Sequence, residues 1–233
     1  MPRDPIGALR RPGPVLASGV HRSLPRRRMP RNKTEAAAPL ELRDACIAAA
    51  QELIAERGLE NLSLREVSRK LGVSHQAPYK HYPSRDHLLA EVMRRCFQRF
   101  AAHLDARRRF DDPEDDLESL GLQYLSYARQ HPLEYRLMFS TTWPESAEQP
   151  GLVRDATHAF DILRSVLRRL HGESEALRET VELDALYIWS TMHGLAGVMN
   201  GQCLDKLGLK SKVLKQTVQH AMHRMGTGLA PGR

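Results

Sequence analysis

Leu62 to Tyr82, LSLREVSRKLGVSHQAPYKHY, opens with a helix start and turns sharply at Gly72. Ser63 and Glu66 have the S-x-x-E spacing of a capping box, and Leu62 is placed to staple onto Val67. This predicts a helix over Leu64 to Leu71, ended by Gly72. Gly72-Val73-Ser74 reads as a tight turn, after which Ser74 can cap a third helix with His75, Gln76 and Ala77 on its first turn. Two short helices joined by a glycine turn make a helix-turn-helix. Pro78 sits inside the second of them. Counted from Ser74, its missing N–H forfeits only the first helical bond, the one to the Ser74 carbonyl, and it biases Ala77 away from helical angles. A loosened or tightened first turn follows, or a helix that begins as late as Pro78.

The flanking residues extend the same reading. In ELRDACIAAAQELIAERG, Leu42, Cys46, Ala49 and Leu53 follow i, i+4, i+7, i+11, and Ala45, Ala50 and Ile54 widen the stripe, so an amphipathic helix precedes the turn and stops at Gly58. Between Ser63 and His87, Arg65, Arg69, Lys70, Lys80 and Arg85 stand against Glu66 and Asp86, with His75, His81 and His87 beside them. A compact positive face attracts phosphate. At the leading end of the third helix His75, Gln76 and Ala77 are candidate base readers, since Gln can bond adenine and Ala can meet a thymine methyl. Tyr79, Lys80, His81 and Arg85 lie toward the exit and are candidate phosphate contacts, fixing register rather than sequence. Arg69 and Lys70 read as a solvated face, Tyr82 and Val73 as small-core residues.

The run from Leu62 to Val92, with Leu-x-x-Val-x-x-x-Leu-Gly-Val-Ser, then Tyr79-x-His81-Tyr82, a basic residue and Leu-Leu, closely resembles the DNA-binding domain of TetR-type transcriptional regulators. HPLEYRLMF (His131 to Phe139) and WSTMHGLAGV (Trp189 to Val198) resemble the effector domain of the subgroup marked by a Trp-x-x-x-His-Gly motif. The resemblance covers about residues 40 to 225. It implies that Arg65 reaches a base edge and Ser63 a phosphate. It also implies a homodimer joined by a four-helix bundle from the last two long helices, for which Leu183, Leu186, Ser190, Val213, Thr217, His220 and Arg224 are candidate stripes. Two readers on a two-fold axis fit a palindromic double-stranded DNA operator.

Beyond Ser84 the pattern stays helical. Leu89, Val92, Met93, Cys96, Phe100 and Leu104 are helically spaced in a segment long enough to link the reader to a second domain. Asp112-Pro113 supplies a cap and a first-position proline for a helix ending at Gln130. A short helix over Leu133 to Phe139, a loop STTWPESAEQPG, and helices over Leu152 to His171, Glu173 to Asn200 and Ser211 to Met225 complete an all-α chain. The expected division is a leader 1–34, a helix-turn-helix domain 35–88, a helical ligand-binding and dimerisation domain 89–226, and a tail 227–233. Tyr124, Tyr127, Met138, Phe139, Trp143, Phe160, Trp189, Met192 and His193 are the candidate lining of a small-molecule effector site; at helical spacing the same residue types also build cores.

Of 233 residues 41% are hydrophobic, enough for a core, and no apolar run approaches the roughly 18–20 residues of a membrane helix. Cys46, Cys96 and Cys203 form no C-x-x-C pair, so no zinc site or disulfide framework is signalled. The net charge of +7 divides into +8 for residues 1–34, where nine Lys and Arg face one acid in a Pro-, Gly- and Arg-rich stretch without hydrophobic period, and −1 for the rest. That leader is either a basic DNA-binding arm or a stretch upstream of a start at Met29. No H-E-x-x-H, G-x-S-x-G or P-loop pattern is present, and His220-x-x-His223 alone is weak as a metal pair. The expectation is a cytoplasmic regulator on nucleoid DNA, not an enzyme, with no catalytic residues, cofactor or metal. A ligand-independent DNA-binding or protein-interaction factor on the same fold is the alternative.

Overall fold

A computed structural model describes residues 39–144, 150–171, 178–201, 206–208 and 211–229, all of them helices, turns and loops without a strand. The leader 1–34, Cys203 and residues 230–233 of the tail lie outside the described residues. The helices are α1 (Pro39–Arg57), α2 (Leu64–Leu71), α3 (Gln76–Tyr79), α4 (Arg85–Asp105), α5 (Pro113–Gln130), α6 (Pro132–Phe139), α7 (Pro150–His171), α8 (Arg178–Asn200) and α9 (Ser211–Leu229). A 3₁₀ turn, Leu59–Asn61, joins α1 to α2.

The predicted stripe of α1 is buried through Cys46, Ala49, Ala50, Leu53 and Ile54, joined by Ile47, which the period did not single out. It shares one buried cluster with Leu62 just before α2, with Leu64 and Val67 of α2, and with Leu88, Leu89 and Val92 of α4. A fully buried side chain of this size is worth about 1.5–3 kcal/mol, so these contacts carry the small N-terminal core. Ser63 caps α2 by accepting from Glu66 N (3.1 Å). The other half of the capping box does not form, because the Glu66 carboxylate is taken by Arg57 and Arg69. Gly72 ends the helix with φ 66°, a left-handed conformation that a side chain would strain.

Helix α3 is shorter than its sequence suggests. No side chain caps it; His75 occupies the cap position, so Ser74 does not play that part. Ala77 N donates instead to the Ser74 carbonyl (3.0 Å), one residue earlier than Pro78 could have. The first turn is tightened, and Pro78 itself is buried. Tyr82 Oη donates to Arg43 O (3.1 Å), tying the end of the reader back to α1.

Ser84 caps α4 and Asp112 caps α5, the latter accepting from Glu114 N (2.8 Å) and Asp115 N (3.3 Å), with Pro113 in the first turn as expected. Helix α7 begins at Pro150 rather than Leu152, since a proline costs nothing where the amide has no helical partner. Helix α9 runs on past Met225 to Leu229. The second half packs α4 against α5, α6 and α7, and α5 against α7, α8 and α9. One joint between them is ionic: Asp116 accepts from Arg107 Nη2 (3.2 Å) and Arg169 Nη1 (2.8 Å), which holds the end of α4, the start of α5 and α7 together.

Candidate nucleic-acid interface and effector cavity

Arg65, His75, Gln76 and Tyr79 line one open depression on the reader. Tyr79 keeps 49% of its surface exposed although it is aromatic. Arg65, Gln76, Tyr79, Lys80 and His81 make no side-chain hydrogen bond or ion pair among the described residues, so their polar ends are available to a partner. The remaining cations of the stretch are spent. Arg69 pairs with Glu66, and Lys70 bridges Glu52 (3.0 Å) and Glu56 (2.7 Å) of α1. Two free cations, Arg65 and Lys80, therefore remain of the five counted in sequence.

Four predicted DNA contacts need separate comment. Ser63 is engaged as the α2 cap. Ala77 is half-buried. The Arg85 guanidinium, expected to hold a phosphate, donates from Nε to Leu62 O (3.1 Å) and from Nη2 to Leu59 O (2.9 Å), and pairs with Asp86. It clamps α4 onto the 3₁₀ turn, where carbonyls left open at the end of a short helix need donors. His75 is held by a relay. Ser68 Oγ is buried and gives its hydrogen to Arg65 O (2.8 Å), so at 3.2 Å from His75 Nδ1 it accepts from that nitrogen. The neutral imidazole is thereby the Nδ1–H tautomer and its Nε2 carries a lone pair.

In the second half, a cavity of about 330 Å3 lies among α5, α7, α8 and α9, with Leu104 of α4 in its wall. Of the predicted effector residues, Tyr124, Trp189 and Met192 line it. The others do not. Tyr127 is buried and donates to Glu134 Oε2 (2.5 Å), and Met138 is in the core. Trp143 Nε1 donates to Met138 O (3.2 Å). Phe139 sets its edge against Phe97, Phe100, Trp189 and His193, and Phe160 against Trp189. His193 stacks on Trp189 (5.1 Å between centroids), and its Nδ1 is 2.7 Å from Tyr124 Oη, which in turn is 3.0 Å from Tyr135 Oη. Burial pushes His193 below the usual imidazole range, only partly offset by the Trp189 carbonyl. The Trp-x-x-x-His-Gly residues thus brace an aromatic cluster at the cavity's edge.

The cavity wall that sequence reasoning missed is aliphatic and sulfur-bearing: Leu117, Leu120, Ile188, Met222 and Met225. Met222 reaches α5 because Gly121 has no Cβ, which would fall 2.6 Å from Met222 Cε. The i, i+3 spacing of Met222 and Met225 was the available signal. Both cysteines described are buried, and burial pushes the Cys96 thiol up to about 12, which makes it a poor nucleophile. No three His, Cys, Asp or Glu residues are grouped to hold a metal among the described residues. No described helix is long and apolar enough to cross a membrane.

Residues 47–92 match the family described as bacterial regulatory proteins, tetR family, and residues 117–224 match the tetracyclin repressor-like C-terminal domain. A solved protein of unknown function from Rhodococcus sp. RHA1 superposes with a TM-score of 0.67 at 24% identity, over 85% of this chain and 99% of that one. A transcriptional regulator from the same organism gives 0.56 at 25% identity, over 80% and 95%. A TetR-family transcriptional regulator from Haemophilus influenzae gives 0.55 at 16% identity, over 81% and 98%. No curated protein matches the chain. With a helix-turn-helix at one end, a helical C-terminal domain at the other, and family matches to each, the chain belongs to the TetR family of DNA-binding transcriptional regulators.

Proposed function

We propose that the chain acts as a homodimeric repressor, released from a palindromic operator when a small, largely apolar molecule enters the cavity. Residues 35–88 would read DNA, with Arg65, His75 and Gln76 at the bases and Tyr79, Lys80 and His81 toward phosphate; residues 89–226 would bind the effector and the second copy. The observation that carries the regulatory half is helix α4. Arg85 at its start is bonded to the Leu59 and Leu62 carbonyls of the reader, and Leu104 near its end is part of the cavity wall. A helix of 21 residues spans about 30 Å at 1.5 Å per residue, so one rigid element touches both sites. A ligand that fits the cavity in only one placement of α4 shifts the population toward that placement and alters the separation of the two readers. A ligand-independent factor would be favoured by an effector domain packed without a void, whereas this one holds a cavity at the small end of the roughly 300–1,000 Å3 usual for ligand sites.

The outer face of α8 supports the dimer. Leu183, Leu186 and Tyr187 are exposed there, followed by Ser190, Gly194, Gly197 and Val198 along the same stripe. Among the described residues, nothing beyond their own helix backbone lies within 4 Å of where a Cβ would stand on Gly194 or Gly197, so those glycines leave room for a second helix. Val213 continues the apolar surface on α9. Gel shift with operator DNA selected from a random pool tests the reading. Sequence-specific binding by the purified chain is expected; its absence overturns the proposal. Tyr79→Ala should lower that affinity, and an unchanged affinity would remove Tyr79 from the contact set.

A further inference from the structure

The chemistry of the effector can be narrowed, on the reading that the cavity is the effector site. Its floor is apolar: Leu117, Leu120, Ile188, Met192, Met222 and Met225. Its remaining ionisable lining is three carboxylates and one imidazole, that of His223. Glu114, Asp115 and Glu118 of α5 all border the cavity, and neither Lys nor Arg does. All three carboxylates are exposed and have no ion pair or side-chain hydrogen bond among the described residues. Asp111 and Glu179 are likewise unpaired among the described residues, but many other acids of the chain are not. Asp116, the very next residue, is held by Arg107 and Arg169, and Glu91, Glu134, Asp155, Asp161 and Glu182 each have an arginine. Glu114 and Asp115 gain from the positive end of the α5 dipole, but Glu118 lies a turn further on, where that effect has faded.

Three like charges within little more than one helical turn repel each other and create a negative potential at the entrance. An anionic amphiphile entering the cavity would meet that potential with no lysine or arginine to receive it. A cationic one would relieve it. We propose that the ligand is a lipophilic cation, an amine or quaternary ammonium whose hydrocarbon body fills the Leu and Met floor and whose charged head lies among Glu114, Asp115 and Glu118. The thioethers of Met192, Met222 and Met225 suit such a body, since they repack around different shapes.

Three probes with the same chain and different heads separate charge from apolar fit: octyltrimethylammonium, octanol and octanoate, each titrated into the full chain by calorimetry. The expected order is cation, then alcohol, then carboxylate, with the cation about tenfold or more tighter than the alcohol, a gap of about 1.4 kcal/mol. That gap should shrink with added salt. The combined variant Glu114→Gln, Asp115→Asn, Glu118→Gln should bring the cation to within about threefold of the alcohol while octanol binding stays unchanged. Glu118→Gln alone, away from the helix cap, should give part of the same loss. Octanol or octanoate binding as tightly as the cation, or a cation preference that survives the combined variant, overturns the charge assignment and leaves the cavity as a ligand site. Failure of all three probes to bind overturns both.

Discussion

His75 shows how much a single side chain's meaning depends on what stands behind it. The buried Ser68 hydroxyl commits its hydrogen to Arg65 O and so takes the Nδ1 proton of the imidazole. In its neutral form the ring therefore keeps Nε2 as an acceptor, suited to the N4 or N6 amino group of cytosine or adenine in the major groove. Ser68→Ala should remove that orientation, weakening binding to the preferred operator about fivefold and relaxing selection at one base position, as read by sequencing a selected DNA pool. Charge follows the same logic. Lys80→Ala should reduce the slope of log affinity against log salt by about one, while Arg69→Ala should leave it nearly unchanged because Glu66 already neutralises that side chain. The sequence displayed five cations without distinguishing them. The carboxylates that take Lys70 lie 14 and 18 residues upstream on α1, and the carbonyls that take Arg85 belong to a short turn whose geometry no spacing rule reports.

Among the elements, most helices were legible because caps and periods agree: Ser63 and Asp112 both accept amides at the helix starts the sequence indicated. Helix α3 was legible only as a choice among a loose first turn, a tight one and a start as late as Pro78, since the proline states what cannot bond but not which amide replaces it. The cavity wall was less visible still, because aromatic side chains drew attention while they were closing a core, and the wall fell to leucines and methionines brought together from α5, α8 and α9. The α4–α5–α7 joint gives a sharp prediction. Arg107 and Asp116 have side chains only 3% and 1% exposed. Asp116→Ala would leave the Arg107 charge buried without its partner and should cost about 3–5 kcal/mol, measurable as a lowered denaturant midpoint.

At the scale of the whole molecule, two properties belong to no single helix. The first is the acid limit of stability. His103 and His193 are both held below the ordinary imidazole range, chiefly by burial. An unfolded histidine takes up a proton near pH 6.5 while the folded one resists it, so the unfolded state gains protons first and stability is lost as pH falls below about 6.5. The Tm should therefore drop between pH 7.5 and pH 5.5, and His193→Gln should flatten that slope. Glu91 acts lower down. Burial raises its pKa, but Arg94, Arg43 and Arg95 together outweigh that and hold it below the carboxylate range, so its stabilising share disappears only as pH falls past its lowered value. The second property is association. Leu186→Glu, placing a charge in the middle of the exposed α8 stripe, should convert the dimer to a monomer by light scattering and weaken operator binding at least about tenfold.

That stripe also sets how the regulator would respond to its own abundance. A chain that leaves Leu183 62% exposed has one reader and an uncovered apolar face until it meets a second copy. Operator occupancy then climbs with the square of the chain's concentration when copies are few, and protein stability itself becomes concentration-dependent. A modest fall in synthesis would empty the operator abruptly, so that dilution alone could switch the controlled gene without any ligand arriving.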